Sequence, residues 1–153
     1  LAYGLITFLG DALKAVLACL LGWWLLEQRG SMLGGLFAVV GHNWPVFHRF
    51  RGGKGASSTC GTAVFCFPLP ALISFVLAVL GIAVTKFVSV GSMLVAVSYC
   101  VLLWILHWGD WFIMIWAALL AAMLLLRHKE NIRRLMNGTE RKFSVKKKAA
   151  DPE

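Results

Sequence analysis

Residues 55–85 read GASSTCGTAVFCFPLPALISFVLAVLGIAVT, a run without one charged side chain. A helix needs about 20 apolar residues to cross a hydrocarbon core of about 30 Å. This run of 31 residues is too short for two full crossings, and Pro68 and Pro70 interrupt it. A single crossing would put Arg49, Arg51 and Lys54 opposite Lys86 and the C-terminal cations. That arrangement opposes the tendency of Lys and Arg to collect on the cytoplasmic side. A pair of short or re-entrant helices, hinged at Pro68-Leu69-Pro70, keeps these cations together. Such backbone is tolerated at membrane depth where protein covers it or where it lines a cavity. A cavity open to the cytoplasm is therefore predicted near residues 50–90.

The flanking sequence agrees with a membrane setting. Of 153 residues, 59% are hydrophobic and 14% charged, and mean hydropathy is +0.77. A soluble domain carries roughly a quarter of its residues as charges. The balance excludes a soluble globular enzyme, a disordered chain and a secreted disulfide scaffold, and predicts an all-α, polytopic helical membrane protein. Further apolar blocks cover residues 3–26, 32–47, 87–109 and 111–126. The predicted path crosses outward over 3–24, turns outside over 27–31 and returns over 32–47. It then runs through a cytoplasmic loop at 41–57, the broken pair 58–85, an outward crossing at 90–107 and a return at 111–126. Only Arg29 among the fifteen cations falls outside. Residues 1–153 form one membrane-embedded domain on this reading, with 127–153 as a basic cytoplasmic tail.

The net charge is +8, and residues 127–148 hold nine of the fifteen cations against Glu130 and Glu140. A basic tail after an apolar span reads as a topology signal that also attracts anionic lipid or substrate, so no nucleic-acid partner is expected. Cys19, Cys60, Cys66 and Cys100 lie in apolar runs without CxxC spacing and read as reduced core residues. The four histidines have no HExxH spacing. No metal site and no cofactor is expected. The chain opens on Leu1 and enters an apolar helix without a basic n-region or cleavage site, so this block is not a signal peptide.

Four segments carry polar residues suited to chemistry. The first is GHNWPVFHRFRGGKG, residues 41–55. Glycines around Lys54 let backbone N–H groups approach an anion, and the lysine adds a point charge. A Walker A loop is excluded, because His48 stands where its first glycine belongs and Ala56 where its Ser or Thr belongs. The second is RHKENIRRLMNGTE, residues 127–140, where helical spacing puts His128, Asn131 and Leu135 on one face and Asn137-Gly138 reads as a stop. The third is TKFVSVGSM, residues 85–93, where Ser89 or Ser92 suits a helix cap or a phosphate contact. The fourth is Asp11 and Lys14, an i, i+3 pair inside the first apolar block, where charges are functional suspects.

Taken together, GHNWPVFHRFRGGKG, KFVSVGSM, RHKENIRRLMNGTE and Leu9-Gly-Asp-Ala-Leu-Lys14 resemble the bacterial acyl-phosphate:glycerol-3-phosphate acyltransferase family, PlsY, over nearly the whole chain. The resemblance implies a multi-pass protein of the bacterial cytoplasmic (inner) membrane. It would move a fatty acyl group from acyl phosphate to the 1-hydroxyl of glycerol 3-phosphate, giving lysophosphatidic acid and phosphate. It implies catalytic roles for Lys54, Ser89, His128 and Asn131. Gly52, Gly53, Gly55, His42, Asn43 and Ser92 would bind substrate, and Glu140 would keep the structure intact. Ala56-Ser57-Ser58 replaces the family's usual Val-Ala-Thr, with Ser58 keeping the hydroxyl. The family's opening helix and its Gly/Ser/Asn-rich first motif have no match here, so an N-terminally incomplete chain is expected. The soluble acyltransferase signature, Asp five residues after His, occurs at none of the histidines. A small membrane transporter or channel for a phosphorylated solute is the alternative, and an inactive scaffold a third.

Overall fold

The structure, a computed structural model, describes residues 2–50 and 52–143. The expectations for Arg51 and for the tail beyond Phe143, Lys146–Lys148 included, lie outside the described residues. Regular structure among them is helical: α1 (Ala2–Asn43), a 3-10 turn (Val46–His48), α2 (Ala56–Cys66), α3 (Pro68–Thr85), α4 (Val88–Leu106), α5 (Trp111–Arg127) and α6 (Lys129–Met136).

α1 is two antiparallel arms, 2–25 and 28–43. The chain reverses within Leu26 (φ −142°) and Glu27 (φ +50°). The sequence predicted an external connection over 27–31, but the helix resumes at once. The reason is close approach. A Cβ on Gly22 would strike the Gly30 carbonyl, and one on Gly34 the Ala18 carbonyl. Small residues bring helices together in lipid, where the hydrophobic effect does not press them against each other.

The uncharged stretch folds as its prolines suggest. Phe67 ends α2 by donating its N–H to the Ala63 carbonyl at 3.0 Å, and its own carbonyl accepts from Ala71 at 3.1 Å to start α3. Pro68 opens α3, where the missing N–H would have no helical partner anyway. The hinge lies one residue before the predicted one. Its ring is 5.0 Å from His107 and 6.0 Å from Trp116, and Gln28 Nε2 donates to the Cys66 carbonyl at 2.9 Å. At the opposite end of the bundle, the Phe143 N–H reaches the Lys86 carbonyl at 2.6 Å. Arg127 reaches the loop before α2 at that same end. The 55–85 segment therefore leaves one face and returns to it.

Element lengths set the depth of that loop. The first arm of α1 is about 36 Å long, the second about 24 Å and α2 about 16 Å. The loop joining the two shorter helices thus sits recessed beside the longer arm. The core holding them is built from Met32, Val39, Leu103 and Leu120, all essentially inaccessible. Two polar ties cross it: Trp116 Nε1 donates to the Met32 carbonyl at 2.7 Å, and the Tyr99 hydroxyl to the Ala63 carbonyl at 3.2 Å. The outer faces are apolar instead. The α3 span has mean hydropathy 2.2 yet only 22% of it is buried inside the protein. Surface of that composition needs lipid as its solvent, so the chain is a multi-pass membrane protein.

The glycine contacts make a stability prediction. Gly22→Leu must separate the arms of α1, and it is expected to lower the apparent melting midpoint in detergent by more than about 10 °C or to prevent recovery of monodisperse protein. Gly4→Leu, at a position with nothing within 4 Å of the added carbon, is expected to leave the midpoint within about 2 °C. Thermal scans on the two variants check this.

Candidate active site

The site begins where α1 ends. Asn43 terminates the second arm, Trp44-Pro45 turns the chain, and the loop 52–55 folds back onto the helix end it came from. Gly53 N–H donates to the His42 carbonyl at 3.2 Å. A Cβ on Gly52 would strike that same carbonyl, one on Gly53 the His42 imidazole, and one on Gly55 the Asn43 amide oxygen. Gly55 also has φ +76° and caps α2, a conformation that favours glycine. The sequence reading gave these glycines one purpose, access for an anion. The structure adds that each is packed against the Gly41-His42-Asn43 segment.

Arg127 holds the loop from the other side. Its Nε donates to the Gly53 carbonyl at 3.0 Å and its Nη2 to the Gly52 carbonyl at 2.7 Å, while the guanidinium lies 5.7 Å from the centre of the Trp44 ring. Loop and arginine wall a cavity of about 480 Å³, with Trp44, Lys54, Lys129 and Glu130 on its lining. Arg127 is committed to carbonyls. Lys54 and Lys129 are exposed, so among the described residues lining the cavity their ammonium groups are available to an anion.

His128 follows directly. It is 2% exposed, and its Nδ1 lies 2.8 Å from the Leu124 carbonyl. A carbonyl only accepts, so Nδ1 carries the proton and Nε2 is left with a lone pair. Burial lowers the imidazole pKa from its ordinary value, the Leu124 hydrogen bond raises it, Lys54 lowers it and Glu140 raises it. The net effect is downward, so the ring is neutral at pH 7.

Glu140 gathers the remaining polar residues. Its Oε1 accepts from Ser89 Oγ at 2.8 Å and from Asn131 Nδ2 at 2.7 Å, and its Oε2 from Arg134 Nε at 2.7 Å. Ser89 and Asn131 are both buried. This one carboxylate ties the start of α4 to α6 and to the turn at Gly138, whose φ is +67°.

Several expectations change. Neither serine caps α4: its N-cap is Phe87, with no side-chain bond, and Ser92 Oγ instead reaches the Val88 carbonyl at 3.4 Å. Oxygen at 85 takes the local role, since Thr85 Oγ1 accepts from the Phe87 N–H at 3.2 Å. The cavity lies between residues 44–54 and 126–130 and meets the expected 50–90 stretch only at the glycine loop; the hollow along α2 and α3, about 460 Å³, has an apolar lining that includes Ala12, Cys60, Phe75 and Ala78. Of the expected site residues, Gly52, Gly53 and Lys54 line it, whereas His42, Asn43, Gly55, Ser89, Ser92, His128 and Asn131 lie behind or apart from the wall of the cavity between 44–54 and 126–130. Arg127, Trp44 and Lys129 went unread as site residues. Arg127 opens the RHKENIRRLMNGTE motif that carries the resemblance, but its place at the end of an apolar span beside His128 gave no sign that it folds back on the glycine loop.

The carboxylate yields a pH prediction. Hydrogen bonding from Arg134, then from Asn131 and Ser89, holds the Glu140 carboxyl at about 2, below its ordinary 4.5, against the opposing effect of burial. A depressed carboxyl stabilises the fold fully above its unfolded value, and the contribution fades as pH falls from about 4.5 toward 2. Glu140→Gln is expected to lower the apparent melting midpoint at pH 7 by about 5 °C and to flatten its decline below pH 4.5. Melting curves between pH 7 and pH 3 check both effects.

Comparison with known proteins identifies the family and the fold. The family model for glycerol-3-phosphate acyltransferase covers residues 1–138. A glycerol-3-phosphate acyltransferase of Thermoanaerobacter sp. (strain X514) is 42% identical over 136 residues, covering 89% of this chain and 68% of its own. One from Clostridioides difficile (strain 630) is 38% identical over 151 residues, covering 94% and 72%. The crystal structure of PlsY (YgiH), an integral membrane glycerol 3-phosphate acyltransferase, in its glycerol 3-phosphate form superposes with TM-score 0.86 at 29% identity, covering 94% of this chain and 72% of that one. Its lysophosphatidic acid form gives 0.85. With the family model spanning all but the last residues and the helical architecture shared throughout, this chain belongs to the glycerol-3-phosphate acyltransferase family.

Proposed function

We propose that this protein transfers a fatty acyl group from acyl phosphate to the 1-hydroxyl of glycerol 3-phosphate, supplying lysophosphatidic acid for membrane phospholipid synthesis. The observation that carries the reading is the recessed cavity whose wall joins the glycine loop, the Lys54 ammonium and the Arg127 clamp at the end of an apolar bundle. Both substrates bear phosphate, and the acyl chain can remain in lipid while its head reaches this recess.

Acyl phosphate is a mixed anhydride and already activated. The hydroxyl oxygen of glycerol 3-phosphate attacks the acyl carbon, the bond from that carbon to the phosphate oxygen breaks, and phosphate leaves. The hydroxyl proton passes to a phosphate oxygen or to His128 Nε2, whose lone pair is kept free by the Leu124 contact. No acyl-enzyme is required. The protein orients the reactants and balances charge that builds on the phosphate. Lys54 takes the second task. Gly52, Gly53, Gly55, His42 and Asn43 form the glycerol-phosphate side. Asn131 gives its N–H to Glu140, so it acts by holding that carboxylate in place, while Ser89 sits across the same carboxylate and Ser92 lies farther along α4. The end of the bundle carrying Lys54, Lys86, Arg127 and Lys129 faces the cytoplasm on this reading, and the basic tail continues from it as part of one domain.

The test is acyl transfer by the full-length protein in nanodiscs, followed as phosphate release from acyl phosphate with and without glycerol 3-phosphate. Acyl-CoA is the control donor. Lys54→Ala is expected to lose about a hundredfold or more in kcat/KM, and His128→Gln about a hundredfold in kcat. Normal transfer by Lys54→Ala would sink the central assignment. Release that ignores glycerol 3-phosphate would sink the acceptor.

A further inference from the structure

The charged pair inside α1 has no task in the reaction above. Lys14 Nζ lies 2.6 Å from Asp11 Oδ1 and 2.9 Å from His42 Nδ1. Asp11 Oδ2 accepts from Ser57 Oγ at 3.4 Å, and the Asp11 backbone carbonyl accepts from Ser58 Oγ at 3.3 Å. One cluster thus joins the first arm of α1, the end of the second arm and the first turn of α2. Those last two elements flank the glycine loop on either side. The far edge of the His42 ring, at Nε2, closes on Gly53, where a Cβ would overlap the imidazole.

The cluster dictates the state of that ring. An ammonium group has donors only. The imidazole nitrogen facing it must therefore accept, and Nδ1 holds no proton. A second proton there would set an N–H against a cation 2.9 Å away. Asp11 Oδ1 lies 3.4 Å from the same nitrogen but is held more closely by Lys14. The ring proton consequently sits on Nε2, the nitrogen next to Gly53. Joining the helices needs none of this chemistry. Gly61 already packs its Cα against the Ala12 carbonyl, and a charged pair in a membrane helix is a costly way to add a contact.

We infer that Asp11 and Lys14 are positioning residues that fix His42 in its Nε2–H tautomer, so that the imidazole donates a hydrogen bond into the glycine loop to a phosphate oxygen of the acceptor bound there. The inference rests on the proposed reading of that loop as the glycerol-phosphate side. Loss of the ammonium lets the ring proton move to Nδ1, facing Asp11, and turns a donor at the loop into an acceptor that repels phosphate.

The experiment combines kinetics with a direct view of the ring, on full-length protein in nanodiscs. Histidine labelled with 13C and 15N reports which ring nitrogen is protonated, and His42→Gln identifies the signal by its loss. At pH 7, His42 is expected in the Nε2–H form, and Lys14→Met is expected to move it toward Nδ1–H. The same variant is expected to raise KM for glycerol 3-phosphate about tenfold with kcat within about threefold, the pattern of lost ground-state binding. Lys14→Arg supplies only donors and is expected to recover most of that affinity, which a general packing defect would not allow. An Nδ1–H signal in the unmodified protein overturns the inference, and this reading stands even where Lys14→Met does not fold. An unchanged KM in Lys14→Met, with the tautomer shifted, overturns it as well. If the unmodified protein shows no glycerol-phosphate-dependent transfer, the functional reading falls instead, and the spectra alone uphold or overturn the tautomer.

Discussion

Two hydrogen bonds from one guanidinium organise this protein. Arg127 gives its N–H groups to the carbonyls of Gly52 and Gly53, and nearly everything at the cationic end follows from that clasp. It fixes a loop that has no regular structure of its own at the recessed level where α2 begins. It joins that loop to the end of α5, so Lys54 comes within electrostatic reach of His128. It also gives partners to the half-buried carbonyls of Gly52 and Gly53, groups that are expensive to bury unpaired. Neither lysine nor an apolar residue could hold both oxygens in a fixed fork.

Around this clasp the polar groups divide into two clusters. Glu140 collects Ser89, Asn131 and Arg134 and sets the angle at which α6 leaves α5, a bend of 57°. Asp11 and Lys14 collect His42 and Ser57 behind the glycine loop. Each cluster links segments that hydrophobic packing alone would leave free to slide, because lipid-facing helices gain little from pressing together. Directional bonds supply the register. The cavity itself is walled by the glycine loop on one side and by the junction of α5 and α6 on the other, fixed elements of the kind that orienting two phosphate-bearing substrates requires.

Much of the frame was legible in residue order. The uncharged 55–85 run with its two prolines allowed one solution that kept the cations together, and the hinge fell within one residue of the expected place. Lys54 with its glycines, and His128 with Asn131, stood out by spacing. What escaped was whatever depends on partners distant in the chain. Ser89 suits a cap or a phosphate contact by its local sequence, yet its bond goes to Glu140, 51 positions away. Arg127 read as part of a basic tail because nothing nearby announces that its guanidinium turns back to residues 52 and 53. The turn at Leu26-Glu27 looked like an external loop because the glycine contacts that sharpen it lie between arms, not along one.

Residue order alone determined that this chain lives in lipid, which blocks cross it, where the long uncharged run must bend and which residue types carry phosphate chemistry. Those follow from hydropathy, charge placement and backbone freedom, properties each segment holds by itself. Only the tertiary structure decided which nitrogen of His42 and of His128 bears the proton, which cations are spent on carbonyls and which remain for substrate, and where the cavity opens. A protonation state or a free charge belongs to a group together with its neighbours, and here those neighbours are brought together by packing between helices far apart in the chain.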